Sequence, residues 1–315
     1  MILSIVTPSY NQGNYLAETI ESVICQEGDF WIDYIIMDGG SKDDSVEIIK
    51  RYEKLLDEKY WDIKCRGITY RWLSENDRGQ TDALTKGFCL ADGEILAWLN
   101  SDDTYLAGAL SKIVEVFAEH SEVAVVYGKT YYTDPQGVIT GLYPTEPFDF
   151  RRLAISNYIC QPATFFRKEA FEAAGGLDSN LRFVMDYDLW IRLAKRFEFR
   201  YVQKFLATYR LHEESKTVSD KNALANHKEA LSVARKYFDW APLSRVYCFC
   251  HSYIVEIYPI FLKKIIFLTT FSAFIYTIIS YIYLNKGIRK DDLRNINFKN
   301  IRKLFRTRMD MYKET

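Results

Sequence analysis

The chain has 315 residues, of which 48% are hydrophobic and 26% are charged. This composition is ordinary for a globular protein and excludes disorder as the default, and the length is enough for one large domain or two modest ones. The net charge of −1 hides an asymmetry, because residues 286–315 carry ten Lys and Arg against four Asp and Glu. A basic end after an apolar stretch favours anionic lipid over nucleic acid as a partner. Zinc-finger spacing and basic heptads, which would indicate duplex binding, are absent.

The cysteines and the first residues bear on the cellular compartment. None of the six cysteines belongs to a CxxC pair, and several stand among apolar residues, as buried free thiols do. Residues 1–6 have the pattern of a strand and lack the basic segment of a secretory signal. We therefore expect the main domain to be cytoplasmic and reduced.

Short apolar runs alternate with helical patterns through the first 130 residues. This alternation predicts an α/β fold with a right-handed, mostly parallel sheet that carries helices on both faces. The predicted strands are 3–7, 34–37, 68–73, 95–99 and 123–127, and the predicted helices are 15–26, 45–56, 81–90 and 106–119.

The middle of the chain has a different pattern. Residues 130–143 are predicted to form a hairpin, with the turn at Asp-Pro-Gln-Gly, residues 134–137. Further helices are expected at 168–174, 186–197 and 223–238, with a strand at 199–202.

An uncharged stretch of twenty residues, 265–284, has about the length needed to cross a bilayer. Residues 246–262 are also apolar, although three polar or helix-breaking residues interrupt them. Two spans would place Lys263 and Lys264 outside the cell, and one span would place the basic tail there. Both arrangements oppose the positive-inside rule. An in-plane or re-entrant helical pair, with the tail on anionic headgroups, fits the charges better.

A buried helix that packs on the main domain or on a partner is the alternative for this stretch. Its residues Thr269, Ala273, Thr277 and Ser280 form a stripe of small side chains suited to helix contact. The sequence thus predicts a main domain over 1–240, an apolar membrane-associating segment over 241–285 and a basic tail over 286–315.

Two consecutive carboxylates follow the fourth predicted strand, in the sequence Asn-Ser-Asp-Asp at residues 100–103. Open α/β folds bind their ligands at the carboxyl edge of the sheet. Carboxylates at that edge are suited to hold a hard divalent cation against a diphosphate. The alternative is a turn with a helix N-cap, because Ser and Asp both begin helices.

Similar polar segments follow the other strands. They are Thr-Pro-Ser-Tyr-Asn at 7–11, Met-Asp-Gly-Gly-Ser at 37–41 and Ser-Glu-Asn-Asp-Arg-Gly at 74–79, and Met-Asp-Tyr-Asp-Leu-Trp opens a helix at 185–190. In this order and spacing, the chain over about residues 1–215 resembles the family-2 glycosyltransferases, which are inverting enzymes with the GT-A fold. The resemblance implies a Rossmann-like, mostly parallel sheet flanked by helices in the domain 1–240, followed by apolar C-terminal helices. It also implies a nucleotide-sugar donor.

Three residues are expected to contact the nucleobase. Pro8 fixes the backbone where the first strand ends, and it presents Tyr10, whose ring can stack on a base. By resemblance, Pro8 and Tyr10 line the uracil pocket and Asp38 contacts the uracil. The alternatives are a packed turn aromatic for Tyr10 and an Asx-turn or helix cap for Asp38.

The segment that opens the third helix is expected beside the nucleotide. By resemblance, Asp77, Asp82 and Lys86 lie there. Asp82 and Lys86 are also spaced i, i+4, so a surface ion pair is the alternative.

The metal site is expected at Asp102, with Asp103 as its neighbour or second ligand. The family pattern is DxD, and here Asn100 replaces the first Asp. Its amide can still bind a ribose or a metal-bound water, but it carries no charge. His212 is a plausible third ligand by resemblance, with a surface-loop histidine as the alternative. Magnesium or manganese is expected, because both favour oxygen ligands and bridging diphosphate.

Asp186 is the expected general base, which takes the proton of the acceptor hydroxyl as that hydroxyl attacks opposite the leaving nucleotide. The family has Glu-Asp where this chain has Met185 and Asp186. Asp188 is the reserve candidate, and the alternative is that Asp186 only begins the helix and complements its dipole. Gln161 and Trp190 are expected near the acceptor.

These features predict the transfer of one sugar, with inversion, to a lipid-linked or polysaccharide acceptor such as a polyprenyl-linked glycan, at the cytoplasmic face of the cell membrane. A processive synthase is disfavoured because the chain lacks a QxxRW motif. Asn100 and Met185 keep open a nucleotide-sugar binding or scaffold subunit with weak catalysis. A nucleotidyltransferase would show a glycine-rich loop near the start, and residues 11–14 contain one glycine.

Overall fold

The computed structural model of the chain describes residues 1–213, 215, 220–263, 265–289 and 292. These residues form two compact units. The first is Met1–Leu153 with Asn157–Asn222, and the second is Ala154–Ser156 with the described residues from Ala223 onward. Lys264 and most of the predicted basic tail lie outside the described residues.

Nine strands and eleven helices occur in the described residues. The strands are β1 Ile2–Ser9, β2 Gly28–Asp38, β3 Cys65–Ser74, β4 Ile95–Trp98, β5 Thr104–Tyr105, β6 Val123–Thr133, β7 Ile139–Leu142, β8 Thr164–Arg167 and β9 Glu198–Arg210. The helices are α1 Leu16–Ile24, α2 Ser45–Asp57, α3 Gln80–Leu90, α4 Ala109–Glu119, α5 Phe150–Ile155, α6 Lys168–Ala173, α7 Met185–Ala194, α8 Asp220–Phe238, α9 Leu243–Ile257, α10 Ile260–Lys263 and α11 Ile266–Asn285. A short 3₁₀ turn occupies Gln161–Ala163.

The strands form one sheet in the order β3-β2-β1-β4-β8-β6-β9-β5, with β7 paired to β6. Strands β3, β2, β1 and β4 are parallel to one another, whereas β8 is antiparallel to both of its neighbours. The predicted α/β fold is confirmed, and the second half of the sheet is mixed because β8, which the sequence did not predict, lies between β4 and β6.

The order 3-2-1-4 has a consequence for the site. The chain moves from β1 outward to β3 and then returns to the other side of β1 to form β4. The loops that follow β1 and β4 therefore diverge from the centre of the sheet, where open α/β sheets form a ligand crevice.

The central strands of the sheet consist almost entirely of buried residues. Every residue of β4 is buried, as are seven of the eight residues of β1. Parallel strands covered by helices on both faces show such continuous apolar runs. On α1, Leu16, Ile20 and Val23 face the same core at helical spacing.

Several boundaries differ from the sequence predictions, and three of the differences affect the architecture. Strand β1 continues through Pro8 to Ser9, because β4 has already ended opposite Val6 and only β2 borders the proline. The predicted hairpin is present, but its first arm is a continuation of β6. Strand β9 extends far beyond the predicted 199–202 and pairs with β6 along most of its length.

The second unit is helical. Pro259 separates α9 from the short α10, so residues 246–262 do not form one helix. Among the described residues, one helix, over Phe267–Asn285, is long and apolar enough to cross a membrane, and one such helix is weak evidence for a span.

Candidate active site

Asn100 is locked by hydrogen bonds within the chain. Its Oδ1 accepts from Gln80 Nε2 at 2.6 Å, and its Nδ2 donates to Gln161 Oε1 at 3.1 Å and to Asp103 Oδ2 at 3.2 Å. Gln161 Nε2 in turn donates to the Trp98 carbonyl at 2.6 Å. The position thus uses both an amide donor and an amide acceptor. An aspartate there would face Asp103 without a proton to donate, which gives a physical reason for the departure from DxD.

Asp103 is completely buried and is held by β9 and α1 as well as by Asn100 of its own loop. Its Oδ1 accepts from the backbone N–H of Arg210 at 3.0 Å, and its carbonyl accepts from Thr19 Oγ1 at 2.8 Å. Burial, followed by the charge of Asp102, raises the pKa of the Asp103 carboxyl well above its usual value, although the bonds from Arg210 and Asn100 oppose the shift. Both carboxylate oxygens already have partners, which favours a role in shaping the loop.

Arg210, which sequence reasoning missed, organises this edge of the sheet. The side chain is 2% exposed, and its Nε donates to the Asp102 carbonyl at 3.0 Å. Its Nη1 donates to the Pro135 carbonyl at 2.7 Å, and Nη2 pairs with Glu18. The guanidinium also lies 4.9 Å from the ring centre of Tyr15. The one signal in the sequence was its place two residues before His212.

Asp102 and His212 meet although they are 110 residues apart in the chain. His212 Nε2 lies 2.9 Å from Asp102 Oδ2, and the imidazole packs 4.8 Å from the ring of Tyr15. The Asp102 side chain is 18% exposed. The fold therefore places a carboxylate and an imidazole together at the carboxyl edge of the sheet, where the sequence predicted a cation.

The donor set can be tested against a divalent cation. The described residues contain no group of three or more His, Cys, Asp or Glu side chains arranged to hold a metal ion. Magnesium-type sites usually take one or two protein carboxylates and complete the shell with water and substrate phosphates. The Asp102 and His212 pair is compatible with such a site.

Asp186 begins α7 in a partly exposed position. Asn157 Nδ2 donates to Asp186 Oδ2 at 3.0 Å, and the Asn157 carbonyl accepts from Tyr143 Oη at 2.7 Å. A carboxylate in the first turn of a helix is stabilised by the helix dipole. Asn157 was missed because it lies 29 residues away in an irregular segment.

The rest of α7 faces inward. Asp188 is fully buried, and its Oδ2 accepts from Arg192 Nε at 2.7 Å in an ion pair. Trp190 is also fully buried and stacks on Trp98 with ring centres 5.6 Å apart. It has no surface to offer an acceptor, so its predicted acceptor contact is disfavoured. Seven of the ten residues of α7 are buried, which its sequence did not reveal.

Tyr10, Gly39 and Asp77 converge after β1, β2 and β3. Tyr10 is 59% exposed, as a ring that stacks on a base must be. A side chain at Gly39 would begin 3.3 Å from Tyr10 Cδ2 and 2.7 Å from Asp77 Oδ2, so a larger residue there would displace these side chains. Pro8, the penultimate residue of β1, is buried.

Asp38 is 2% exposed, and its carboxylate is fully engaged. It accepts from the backbone N–H groups of Gly40 and Ser41 at 3.1 and 3.0 Å, from Ser74 Oγ at 2.6 Å and from the Ser41 hydroxyl. A carboxylate has about four acceptor positions. The turn-forming alternative is therefore realised, and contact with a base would have to replace one of these bonds.

Asp82 and Lys86 form the ion pair that the sequence left open, at 3.4 Å. Arg78 also bonds to Asp82, and this bond lowers the pKa of the Asp82 carboxyl. Glu75 accepts from Lys86 at 2.8 Å and raises the pKa of the Lys86 ammonium. Contact of either residue with the nucleotide stays a prediction.

Comparisons with known proteins identify the family of the chain. Residues 4–175 match the Glycosyl transferase family 2 model, and the chain belongs to that family. It is a glycosyltransferase. A "PGL/p-HBAD biosynthesis glycosyltransferase" of Mycobacterium bovis (strain BCG / Pasteur 1173P2) is 29% identical over 228 residues, which cover 71% of this chain and 82% of the relative. An uncharacterized glycosyltransferase of Nostoc sp. (strain PCC 7120) is 28% identical over 243 residues, 74% of this chain and 72% of the relative.

Two solved structures show the same fold at low sequence identity. S. aureus TarS 1-349 in complex with UDP-GlcNAc superposes with a TM-score of 0.54 at 14% identity, covering 82% of this chain and 73% of TarS. The mannosyltransferase PcManGT of Pyrobaculum calidifontis, in complex with GDP-Man and Mn2+, gives a TM-score of 0.57 at 12% identity, covering 89% and 87%. The fold of the chain is therefore GT-A.

Proposed function

We propose that this glycosyltransferase moves one sugar from a nucleotide-sugar donor, UDP-linked, to a lipid-linked or polysaccharide acceptor with inversion at the anomeric carbon. The observation that carries the proposal is the pair of sites on one unit. Asp102 and His212 meet at the carboxyl edge of the sheet, and Asp186 stands partly exposed at the start of α7. One site suits a diphosphate and the other a hydroxyl that must lose its proton.

The donor would enter over the loops that follow β1, β2 and β3. Tyr10 supplies an exposed ring for the base. Gly39 has no side chain, so it leaves space beside Tyr10 and Asp77. Asp77 lies against Gly39 and can accept from the nucleoside. The complexes of TarS with UDP-GlcNAc and of PcManGT with GDP-Man support a nucleotide-sugar donor. The choice of uridine rests on the family resemblance.

The cation would be held by Asp102 with His212 as its second protein ligand, and magnesium or manganese suits this set. When bound, such a cation neutralises charge on the leaving diphosphate. Asp103 stays inside the loop in this proposal, because Asn100 and Arg210 occupy its oxygens.

The chemical step is a single displacement. The acceptor oxygen forms a bond to the anomeric carbon while the bond from that carbon to the diphosphate oxygen breaks, and the hydroxyl proton passes to Asp186. Asn157 donates to one oxygen of Asp186 and so orients the carboxylate. Asp188 is not assigned this role, because it is buried in its pair with Arg192.

The acceptor and the location follow from the second unit and from a relative. The M. bovis relative is named for PGL/p-HBAD biosynthesis, which supports a lipid-linked acceptor here. The apolar helix α11 is compatible with a membrane location, and the choice of the cytoplasmic face rests on the sequence prediction of a cytoplasmic, reduced main domain. Gln161, predicted near the acceptor, uses its amide on Asn100 and Trp98 and is left out of the acceptor site.

The test is hydrolysis and transfer with a panel of nucleotide sugars, with and without manganese, using membrane extract as the acceptor source. Asp186→Asn should lower turnover about 10²- to 10⁴-fold while donor binding persists, because only the general base is removed. Asp44→Asn is the matched control, since Asp44 is likewise an aspartate at the start of a helix, here as the N-cap of α2, and is exposed. It should leave turnover unchanged.

Either of two results would overturn the proposal. Full activity of Asp186→Asn would show that Asp186 is not the general base. Donor binding without turnover by the wild-type protein, with every donor and membrane extract present, would favour the binding-subunit alternative.

A further inference from the structure

The outer face of α11 consists of large apolar side chains along its whole length. At about 100° per residue they cover roughly half of the helix circumference. The exposed fractions run from 42% to 82% for Phe267, Phe271, Phe274, Ile275, Ile278, Ile279, Ile282 and Tyr283.

The inner face of the same helix is mostly small and hydroxylated, with one large aromatic side chain, Tyr281, that is 4% exposed and packs in an apolar cluster shared with α9. Thr269, Thr270, Ala273 and Thr277 are all at most 5% exposed. Thr277 Oγ1 donates to the Ala273 carbonyl at 2.6 Å, so its polarity is satisfied inside the helix. Surface helices in water show the opposite pattern, with apolar residues inward. Small residues at helix contacts and large apolar residues outside are typical of helices in lipid.

The neighbouring helix α8 shows that the inversion is specific to α11. The exposed side chains of α8 include Lys228, Ser232, Arg235 and Lys236. Helix α9 contacts both helices, since Ser252 Oγ lies 2.7 Å from His227 Nδ1 of α8, and the ring of Tyr253 lies 5.6 Å from that of Tyr276 of α11 in a tilted arrangement. The unit therefore has a polar outer helix and an apolar outer helix.

The contacts of α9 argue against a span. Asn285 at the end of α11 bonds to both backbone groups of Ala241, just before α9, and Tyr258 Oη at the other end of α9 donates to Ser272 Oγ at 2.7 Å. The two helices are thus antiparallel, and α9 is about 22 Å long. The exposed Glu256, two residues before Tyr258, lies beside the middle of α11. In a span this charge would lie near the bilayer midplane, which is costly.

Charge identifies the partner as an anionic leaflet. Lys286 and Arg289 are exposed just beyond the C-terminal end of α11. The sequence adds Lys263 and Lys264 before the helix and a net charge of +6 over residues 286–315. Basic residues at both ends of an apolar face are attracted to the surface potential of anionic lipid.

We propose that α11 lies in the plane of the membrane, with its Phe and Ile face in the acyl layer of one anionic leaflet and α9 on the aqueous side. This inference rests on the membrane location in the proposed function and adds the orientation. A helix in this position buries one face and leaves both ends at the same depth.

The first test is flotation of the full chain with vesicles of phosphatidylcholine and phosphatidylglycerol. Ile278→Asp, on the outer face of α11, should weaken vesicle binding about tenfold or more. Ser232→Asp, on the exposed face of α8, introduces the same charge and should change binding less than about twofold. Thermal melting checks that both variants are folded, and sugar transfer to a soluble acceptor checks that both are active.

Failure of this inference is distinct from failure of the proposed function. A wild-type chain that transfers sugar but does not bind these vesicles overturns the membrane inference alone. Equal loss for both variants also overturns it, because the outer face of α11 would then have no special part. A chain that binds vesicles but never transfers sugar overturns the proposed function alone.

The second test measures depth. An environment-sensitive fluorophore is attached to the new cysteine of Phe267→Cys or of Ile282→Cys. The exposed Cys25 and Cys89 are also labelled, so the fluorescence of the labelled parent chain is subtracted. Quenching by lipids brominated at different acyl positions should place both labels at the same depth. Graded depth would indicate insertion by one end, and a C-terminal reporter outside the cell would indicate a span. Either result overturns the in-plane orientation, as does a lipid-free dimer that buries this face.

Discussion

The sheet edge at residues 100–103 and the outer face of α11 both reverse the usual rule that polar groups lie outside and apolar groups inside. At the sheet edge, Asp103 and Arg210 are at most 2% exposed. On α11, Phe267 is 73% exposed and Ile279 is 60% exposed. Each arrangement is costly unless something compensates for it.

The two regions differ in where that compensation lies. Arg210 finds acceptors in the Asp102 and Pro135 carbonyls and in Glu18, all within the chain. The apolar face of α11 meets no such partner among the described residues of its own unit and requires one from outside. Buried polar groups with partners inside the chain thus build a preorganised site. Exposed apolar groups without such partners instead indicate that the face is covered by something outside the chain.

The largest effect is expected from removing the centre of the polar network. Arg210→Leu should lower the free energy of unfolding by about 3 kcal/mol or more, because the hydrogen bonds to the Asp102 and Pro135 carbonyls and the ion pair with Glu18 are lost together. Urea denaturation measures the change. Arg78→Leu is the control, since the Arg78 side chain is 87% exposed, and it should stay within about 0.5 kcal/mol of the wild type. Equal effects would show that the network does not stabilise the fold.

A smaller loss is expected when the family's aspartate is restored. Asn100→Asp should cost about 1–3 kcal/mol of unfolding free energy at neutral pH, because it removes a donor and adds charge 3.2 Å from Asp103. It should not tighten manganese binding, as titration calorimetry can check. Asn14→Asp, at an exposed loop position, is the control. A gain in both stability and manganese affinity would contradict this account of Asn100.

The buried carboxyl of Asp103 gives a pH-dependent effect. Its pKa is raised in the folded chain, so the folded state holds the proton more tightly than the unfolded state. The unfolding free energy of the wild type, relative to that of Asp103→Asn, should therefore be highest at low pH. It should fall by about 1.4 kcal/mol per pH unit as pH rises from about 3.9 to the raised pKa of the folded chain. A difference that is flat or rises with pH would contradict the assigned direction.

The smallest effect is expected on the outer face of α11. Without lipid, Ile278→Ser should change the unfolding free energy by less than about 0.5 kcal/mol, since the side chain is 43% exposed. Ala273→Leu, on the buried face, should cost about 1–3 kcal/mol through overpacking. Thermal or urea unfolding of both variants makes the comparison. The reverse ranking would mean that the exposed face is packed in solution.

The polar contacts illustrate how far the sequence could predict the site. The segments at 100–103 and 185–190 were recognised because they follow apolar patterns at particular spacings. The structure places Asp102 beside His212, and the metal site itself stays a prediction. Arg210 and Asn157 were not recognised. Their partners lie far along the chain, and no local pattern distinguishes a buried arginine or asparagine from an exposed one.

The sequence by itself determined the alternation of strands and helices, since the period of apolar residues is a local property of the chain. The uncharged length of α11 was determined in the same way. Only the tertiary structure decided which face of each element is covered. It turned Trp190 onto Trp98, saturated Asp38 with the N–H groups of its own turn, and directed the threonines of α11 inward. Burial depends on neighbours that are distant in sequence, and those neighbours exist only once the chain has folded.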